Sequence, residues 1–292
     1  MRTSETLVTL SVLIAVLALV AAGLGVFWQG TGQPYEFRTL RGETVMIQGR
    51  GLYRYDTISL AAQAIAQDVV TLVIGIPLLI AALVIFQRGK LRGKLLLSGT
   101  LAYFLYTYAS YAFGAAYNIL FLVYVALFTL SLFAFILTLL TIDVCTLPQH
   151  FSSHLPRRGI AVFLFVVGGF LLMAWLGRIV PALVSGQLPI GLESYSTLYI
   201  QVLDLGLIVP AAFLSGILLW NRRQWGYLLS SVVLVKAVTL ALAVSAMAVN
   251  MTLTGVQVGI GEAIMFPTIA TISIAMTATL LRNVLEPVSA SV

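Results

Sequence analysis

The sequence has very little charge. Charged residues make up 9% of the 292 residues, whereas a soluble domain carries about 25%. Hydrophobic residues make up 60% and the mean hydropathy is +1.04. Uncharged runs of roughly 20 residues recur along the chain, and each is long enough to cross the hydrocarbon core of a bilayer as a helix. This composition excludes an ordinary soluble domain.

Residues for metal or redox chemistry are also scarce. The single cysteine, Cys145, excludes an internal disulfide and paired-thiol chemistry. The two histidines, His150 and His154, have a spacing that can chelate a metal on a helix. Pro148 and Pro156 bracket them and no further ligand is fixed, so a solvated loop is the favoured interpretation. No phosphate-binding, dinucleotide-binding, zinc-protease or serine-hydrolase motif is present. We therefore expect neither a metal nor a cofactor.

The apolar runs predict an all-α fold, a polytopic transmembrane helix bundle of about eight spans. A β-barrel is disfavoured because apolar and polar residues do not alternate within the runs. The first run, Leu7 to Trp28, is longer than the apolar core of a signal peptide, so we expect an uncleaved helix. The predicted helices lie near residues 7–28, 68–86, 95–113, 119–141, 159–182, 200–220, 227–249 and 260–281.

The basic residues predict the orientation of these helices. The short connection 87–94 carries four Lys or Arg residues, which places it in the cytoplasm. Counting outward from it leaves ten Lys or Arg residues inside and four outside. We therefore predict a plasma-membrane protein with both the N- and C-termini in the cytoplasm. The net charge of +6 is explained by this asymmetry, so no nucleic-acid partner is expected.

The long loop 29–67 predicts a small extracytoplasmic element between the first and second helices. Residues 35–48 are typical of a strand, a turn at Arg41–Gly42 and a second strand. The following segment 57–67 is compatible with a helix. It lies on the membrane surface or extends the second helix outward.

The two halves of the chain resemble each other, which predicts a 4+4 parallel internal repeat. The halves are residues 1–141 and 159–292, joined by a cytoplasmic linker at 142–158. Paired features in the same order are the segments 51–57 and 191–197, then Asp68 and Asp204, Pro77 and Pro210, and Gly93 and Gly226. Each half returns to its starting side of the membrane, so an axis along the membrane normal would relate them.

Lys236 is the most informative single residue. It lies 11 residues after Trp225, which prefers the headgroup level, so it sits about 16 Å into the bilayer, near its centre. A charge there costs about 2.5–3.5 kcal/mol on insertion scales. Lys236 should therefore face protein or water. Asp204, about 24 Å from the inner end of its helix, is its expected ion-pair partner.

The remaining intramembrane polar groups complete a candidate substrate-binding site. The predicted cavity opens to the outside and is lined by Lys236, Asp204, Tyr103, Arg178, Glu262 and Asp68. Tyr103 is the counterpart of Lys236 in the repeat and shares a helical face with other hydroxyl groups. The alternative is a structural ion pair, with rim charges against lipid headgroups and tyrosines that only pack. The sequence leaves both interpretations open.

Three functions remain open at this stage. The first is a permease or pore for a small polar or anionic solute bound near Lys236 at the repeat interface. The second is a non-transporting sensor or accessory subunit whose loop 29–67 recognises a partner. The third is a membrane-embedded enzyme acting on a lipid or quinone, with the rim acids in acid–base roles. The lipid bilayer is the partner that the composition dictates, and both a homo-oligomer and a partner subunit stay open.

Overall fold

The chain is mostly helical, and its helices form a polytopic membrane bundle. A computed structural model describes residues 3–28 and 30–286. Across these residues, seven helices are long and apolar enough to cross a membrane. The predicted all-α transmembrane bundle is therefore confirmed.

The described residues of the N-terminal half form five helices and a hairpin: α1 (Thr3–Phe27), β1 (Tyr35–Arg38), β2 (Thr44–Ile47), α2 (Ile58–Val70), α3 (Ile76–Gln87), α4 (Leu91–Gly114) and α5 (Phe121–Leu140). A 3-10 turn, Leu147–His150, lies in the linker. The C-terminal half contains α6 (Arg157–Ser185), α7 (Tyr199–Leu203), α8 (Val209–Trp220), α9 (Gln224–Leu253) and α10 (Ile260–Arg282).

The predicted helix ends agree with these bounds to within four residues, except at the second helix. That helix begins at Ile58, ten residues earlier than predicted, because the Thr57 side chain accepts a hydrogen bond from the Leu60 amide at its start. The segment 57–67 therefore extends the second helix rather than lying on the membrane.

Helix α4 is the predicted span that is not among the seven. Its 24 residues are about 36 Å long, enough to cross a bilayer. It is more polar than the others because it carries Arg92, Lys94 and four tyrosines. More than half of its residues are buried inside the protein, which gives the polar groups partners.

Two long helices are each interrupted by one π-helical segment. Thr71–Gly75 joins α2 to α3, and Asp204–Ile208 joins α7 to α8. In each case a proline, Pro77 or Pro210, is the second residue of the helix that follows. Proline has no backbone N–H, and its ring collides with the carbonyl four residues earlier. The helix therefore takes one extra residue into the turn there, which makes it a π-helical turn.

Residues 35–47 form an antiparallel hairpin, as predicted. Tyr35 pairs with Ile47, and Arg38 pairs with Thr44. The turn contains Gly42, whose φ of 89° is in a region that suits glycine. The end of the molecule that carries this hairpin is called the hairpin side below.

The hairpin is bound to the C-terminal half. The Arg41 guanidinium donates to the carbonyl oxygens of Glu193 and Tyr195, at 2.8 and 2.7 Å. The Thr57 hydroxyl donates to the Glu193 carboxylate. Burial raises the pKa of Glu193, although the bond from Thr57 opposes that shift. The loops of the two halves are thus joined on the hairpin side.

Buried apolar side chains form two clusters, one within the N-terminal half and one in the C-terminal half that also includes Leu91 and Leu95 of α4. The halves meet where α2 and α4 pack against α9. At Gly99 on α4, an added Cβ atom would lie 2.4 Å from the Val235 Cβ on α9. This glycine lets the two helices approach closely next to Lys236, and so it positions the groups around the lysine.

Candidate functional site

A cavity of about 270 Å³ lies at the meeting point of the two halves. Helices α2 and α4 line it from the N-terminal half, and α6, α7 and α9 line it from the C-terminal half together with Phe266 of α10. The polar lining includes Gln67, Tyr103, Tyr106, Thr107, Ser110, Asp204 and Lys236.

The cavity extends from Lys236 toward the hairpin side. Along α9 its lining runs from Lys236 to Met251, 15 residues later, which corresponds to about 22 Å of helix. On α6 it runs from Leu171 to Arg178. Helices α4, α6 and α9 all end on the hairpin side, where Asp56 joins the lining. Lys236 is therefore at the deep end of the cavity.

The Lys236 ammonium is buried but has no hydrogen-bond acceptor among the side chains and backbone groups that the structure describes. The residue is 5% exposed, and Nζ lies 3.7 Å from the ring centroid of Tyr106 and 5.7 Å from that of Tyr103. Contact with aromatic faces stabilises a cation but leaves its three N–H donors without hydrogen-bond acceptors. The ammonium can therefore bind a group that enters the cavity.

The predicted ion pair between Lys236 and Asp204 is wrong. In the described part of the chain, the single pair of opposite charges within 4.0 Å is Arg92–Glu286. Asp204 instead accepts hydrogen bonds from the Tyr106 hydroxyl, at 2.7 Å, and from the Trp175 indole N–H, at 2.9 Å. Tyr106 thus links the two charges, because its ring contacts the ammonium and its hydroxyl contacts the carboxylate.

Tyr103 presents its ring to Lys236 and its hydroxyl to α2. Its oxygen lies 2.7 Å from the Gln67 side-chain nitrogen, which donates to it, and 2.7 Å from the Thr71 hydroxyl. Gln67 also donates to the Thr107 hydroxyl, at 3.3 Å. These bonds fix the Tyr103 ring at the bottom of the cavity, with the phenol oxygen already satisfied.

Of the other predicted site residues, the structure brings in Arg178 but not Asp68. Arg178 lines the cavity with its guanidinium 5.3 Å from the Trp175 ring centroid. Asp68 is 2% exposed, is not part of the lining, and accepts hydrogen bonds from Tyr53 and Tyr111. The side chain of Glu262 lies outside the described residues.

Asp56 is a cavity residue that sequence reasoning missed. Its carboxylate accepts hydrogen bonds from the Ala116 amide, at 2.9 Å, and from the Tyr195 hydroxyl, at 2.7 Å. It therefore joins three loops on the hairpin side. Burial raises the pKa of Asp56 to about 6, although both hydrogen bonds oppose the shift.

Tyr106, Gln67 and Trp175 were also absent from the predicted set. Tyr106 is one helical turn from Tyr103, so the same face of α4 could have indicated it. The two histidines do not share a helix, because His150 ends the 3-10 turn and His154 lies beyond it. Within the described residues, no group of three His, Cys, Asp or Glu side chains could hold a metal ion.

No known family, no curated protein and no solved structure matches this chain. The chemistry of the cavity is therefore the guide to function. Both carboxylate oxygens of Asp204 accept a hydrogen bond, whereas the ammonium of Lys236 has no hydrogen-bond acceptor among the described residues. This arrangement suits the binding of a negatively charged group.

Proposed function

We propose that this multi-pass membrane protein is a permease for a small polar or anionic solute that binds beside Lys236. The supporting observation is the buried ammonium, 5% exposed, which faces a cavity of about 270 Å³ without an acceptor in the described part of the chain. A cation in the middle of a bilayer costs several kcal/mol unless it is paired or hydrated. An anionic solute would supply the missing partner.

We also propose that the two halves are a 4+4 parallel repeat with the cavity at their interface. The two prolines, Pro77 and Pro210, follow equivalent π-helical segments, 133 residues apart. In the same register, Tyr103 corresponds to Lys236, and Thr71 rather than Asp68 corresponds to Asp204. Transporters built from repeats commonly bind substrate between them, near the bilayer midplane.

Gly93 and Gly226 support the same register. A Cβ atom on Gly93 would lie 2.3 Å from the backbone nitrogen of Phe86, and one on Gly226 would lie 2.3 Å from that of Leu219. Both pairs are again 133 residues apart. The turns from α3 to α4 and from α8 to α9 therefore have the same close packing, as expected of duplicated units.

The proposed orientation has eight spans, with α4 as the eighth, in the plasma membrane. Both termini are cytoplasmic and the hairpin side faces outward, as the distribution of Lys and Arg predicts. The cavity then opens to the outside. Rocking of one half against the other would expose Lys236 to the cytoplasm and release the solute there.

Cysteine labelling combined with uptake tests the permease proposal. Cys145 is first replaced by serine, and Ala243, in the cavity wall on α9, is then changed to cysteine. We expect proteoliposomes of this variant to take up radiolabelled butanesulfonate, an anion that does not cross lipid as a neutral acid. A membrane-impermeant cationic methanethiosulfonate reagent added outside should react with the new thiol and block uptake.

The matched control is Ala241→Cys in the same background. Ala241 is also on α9 and is as buried as Ala243, but it does not line the cavity. A thiol there lacks water to ionise, and the thiolate is the reactive form. We expect neither reaction nor loss of uptake. Folded protein that takes up no butanesulfonate, or uptake that is indifferent to modification at position 243, would contradict the proposal.

A further inference from the structure

We infer, resting on the proposed function, that the substrate is a monoanionic amphiphile whose single negative group binds Lys236 and whose short apolar chain lies along α9 toward the hairpin side. One end of the cavity determines the charge of the ligand, and the wall beyond it determines the shape and polarity of the remainder.

The charges of the lining favour one negative charge and disfavour two. Lys236 and Arg178 are the cations in the lining, and Asp204 and Asp56 are the carboxylates. Both oxygens of Asp204 accept hydrogen bonds, so it remains a fixed acceptor linked through Tyr106 to the lysine. A ligand with one anionic group would accept the hydrogen bonds that the Lys236 ammonium can donate. A second anionic group beside Lys236 would be repelled by the Asp204 carboxylate in a medium of low dielectric constant.

The α9 wall of the cavity beyond Lys236 is apolar, whereas α2 and α4 contribute polar side chains such as Gln63 and Ser110 to the lining. Toward the hairpin side α9 presents Leu240, Val244, Met247 and Met251, and Leu171 of α6 and Phe266 of α10 also line the cavity. A small inorganic anion would accept hydrogen bonds from the ammonium but would leave this wall in contact with water. An alkyl chain would remove that wall from water, which is favourable in proportion to the buried area. Methionine side chains adapt to chains of different shape.

The size of the cavity limits the ligand to a short chain. Its volume of about 270 Å³ is just below the range of roughly 300–1,000 Å³ that is typical of ligand pockets. The apolar wall extends along α9 from Leu240 to Met251, so a chain can lie along α9 toward the hairpin side. A linear chain of a few methylenes suits this volume better than a bulky ring system.

A homologous series of ligands tests this inference. Equilibrium dialysis against the full-length protein in phosphatidylcholine nanodiscs would compare ethane-, propane-, butane-, pentane- and hexanesulfonate, with empty nanodiscs as the blank. We expect the affinity to rise about three- to fourfold per added methylene. Hexyltrimethylammonium, with the same chain and the opposite charge, should not bind above the blank.

Two variants locate the chain within the cavity. Met247→Ala removes part of the apolar wall, so we expect the gain per methylene to fall and hexanesulfonate binding to weaken more than ethanesulfonate binding. Met173→Ala is the matched control, since Met173 is on α6, is 69% exposed and does not line the cavity. It should bind the whole series as the unmodified protein does.

The outcomes separate this inference from the permease proposal. Equal affinity for ethanesulfonate and hexanesulfonate, or binding of hexyltrimethylammonium, would overturn the amphiphile. A rise with chain length in protein that shows no uptake would remove the permease and leave the ligand class standing. Uptake together with an affinity that does not depend on chain length would support the permease and overturn the amphiphile as its substrate.

Discussion

Replacement of Lys236 by methionine is expected to lower the affinity for hexanesulfonate by about a hundredfold, the effect of losing a charge-assisted hydrogen bond. Methionine keeps a similar length and volume, so the cavity should keep its shape. The same change should leave the unfolding temperature unchanged or raise it, because it removes an ammonium that no described acceptor satisfies. Equilibrium dialysis and thermal unfolding in the same nanodiscs would measure both effects.

Loss of binding without loss of stability distinguishes a ligand-binding lysine from a structural one. Lys90→Met, at an exposed lysine between α3 and α4, is the matched control and should bind hexanesulfonate normally. Lys236→Arg should retain part of the affinity, since it keeps the charge but places it differently. A methionine variant that unfolds more easily and still binds hexanesulfonate would show that the lysine serves the fold.

Substitution of Gly226 by alanine is expected to destabilise the protein by about 3 kcal/mol, at the upper end of overpacking effects. The new Cβ atom would lie 2.3 Å from the backbone nitrogen of Leu219. Backbone cannot rotate away as a side chain can, so α8 and α9 must separate. Thermal unfolding in nanodiscs should show a decrease on the order of 10 °C.

Two further glycines make this prediction specific. Gly177, inside α6, has no atom within 4 Å of an added Cβ atom, so alanine there should be neutral or slightly stabilising. Gly93→Ala should destabilise the protein as much as Gly226→Ala does, because the two positions have the same packing. A large difference between Gly93→Ala and Gly226→Ala would count against the repeat, and tolerance of both would contradict the packing of these turns.

The helices could be predicted because their lengths follow from bilayer thickness. Uncharged runs have sharp ends where charge or tryptophan begins, and most predicted bounds agree with the structure to within four residues. The depth of Lys236 follows from the same geometry, since each residue of a helix advances about 1.5 Å. The start of the second helix was missed because it extends beyond the apolar run, from the cap at Thr57.

Lateral contacts could not be predicted in this way. Depth along a helix does not say which neighbour a side chain faces, and several polar groups lie at similar depths. Asp204 bonds to Tyr106 and Trp175 rather than Lys236, while Asp68 faces a tyrosine cluster outside the cavity. Asp56 depends on contacts among three distant loops, which leave no periodic signal in the sequence.

Isotope labelling of the lysine amines tests the central claim most directly. The chain has three lysines, Lys90, Lys94 and Lys236. Reductive methylation with ¹³C-formaldehyde would give each a resolved NMR signal, and the signal that disappears in Lys236→Arg identifies the buried one. We expect the Lys236 amine to be methylated, and its signal to shift on addition of hexanesulfonate while those of Lys90 and Lys94 do not. A Lys236 amine that the reagent never reaches, or a signal that hexanesulfonate leaves unmoved, would contradict a cavity-facing ammonium that binds an anion.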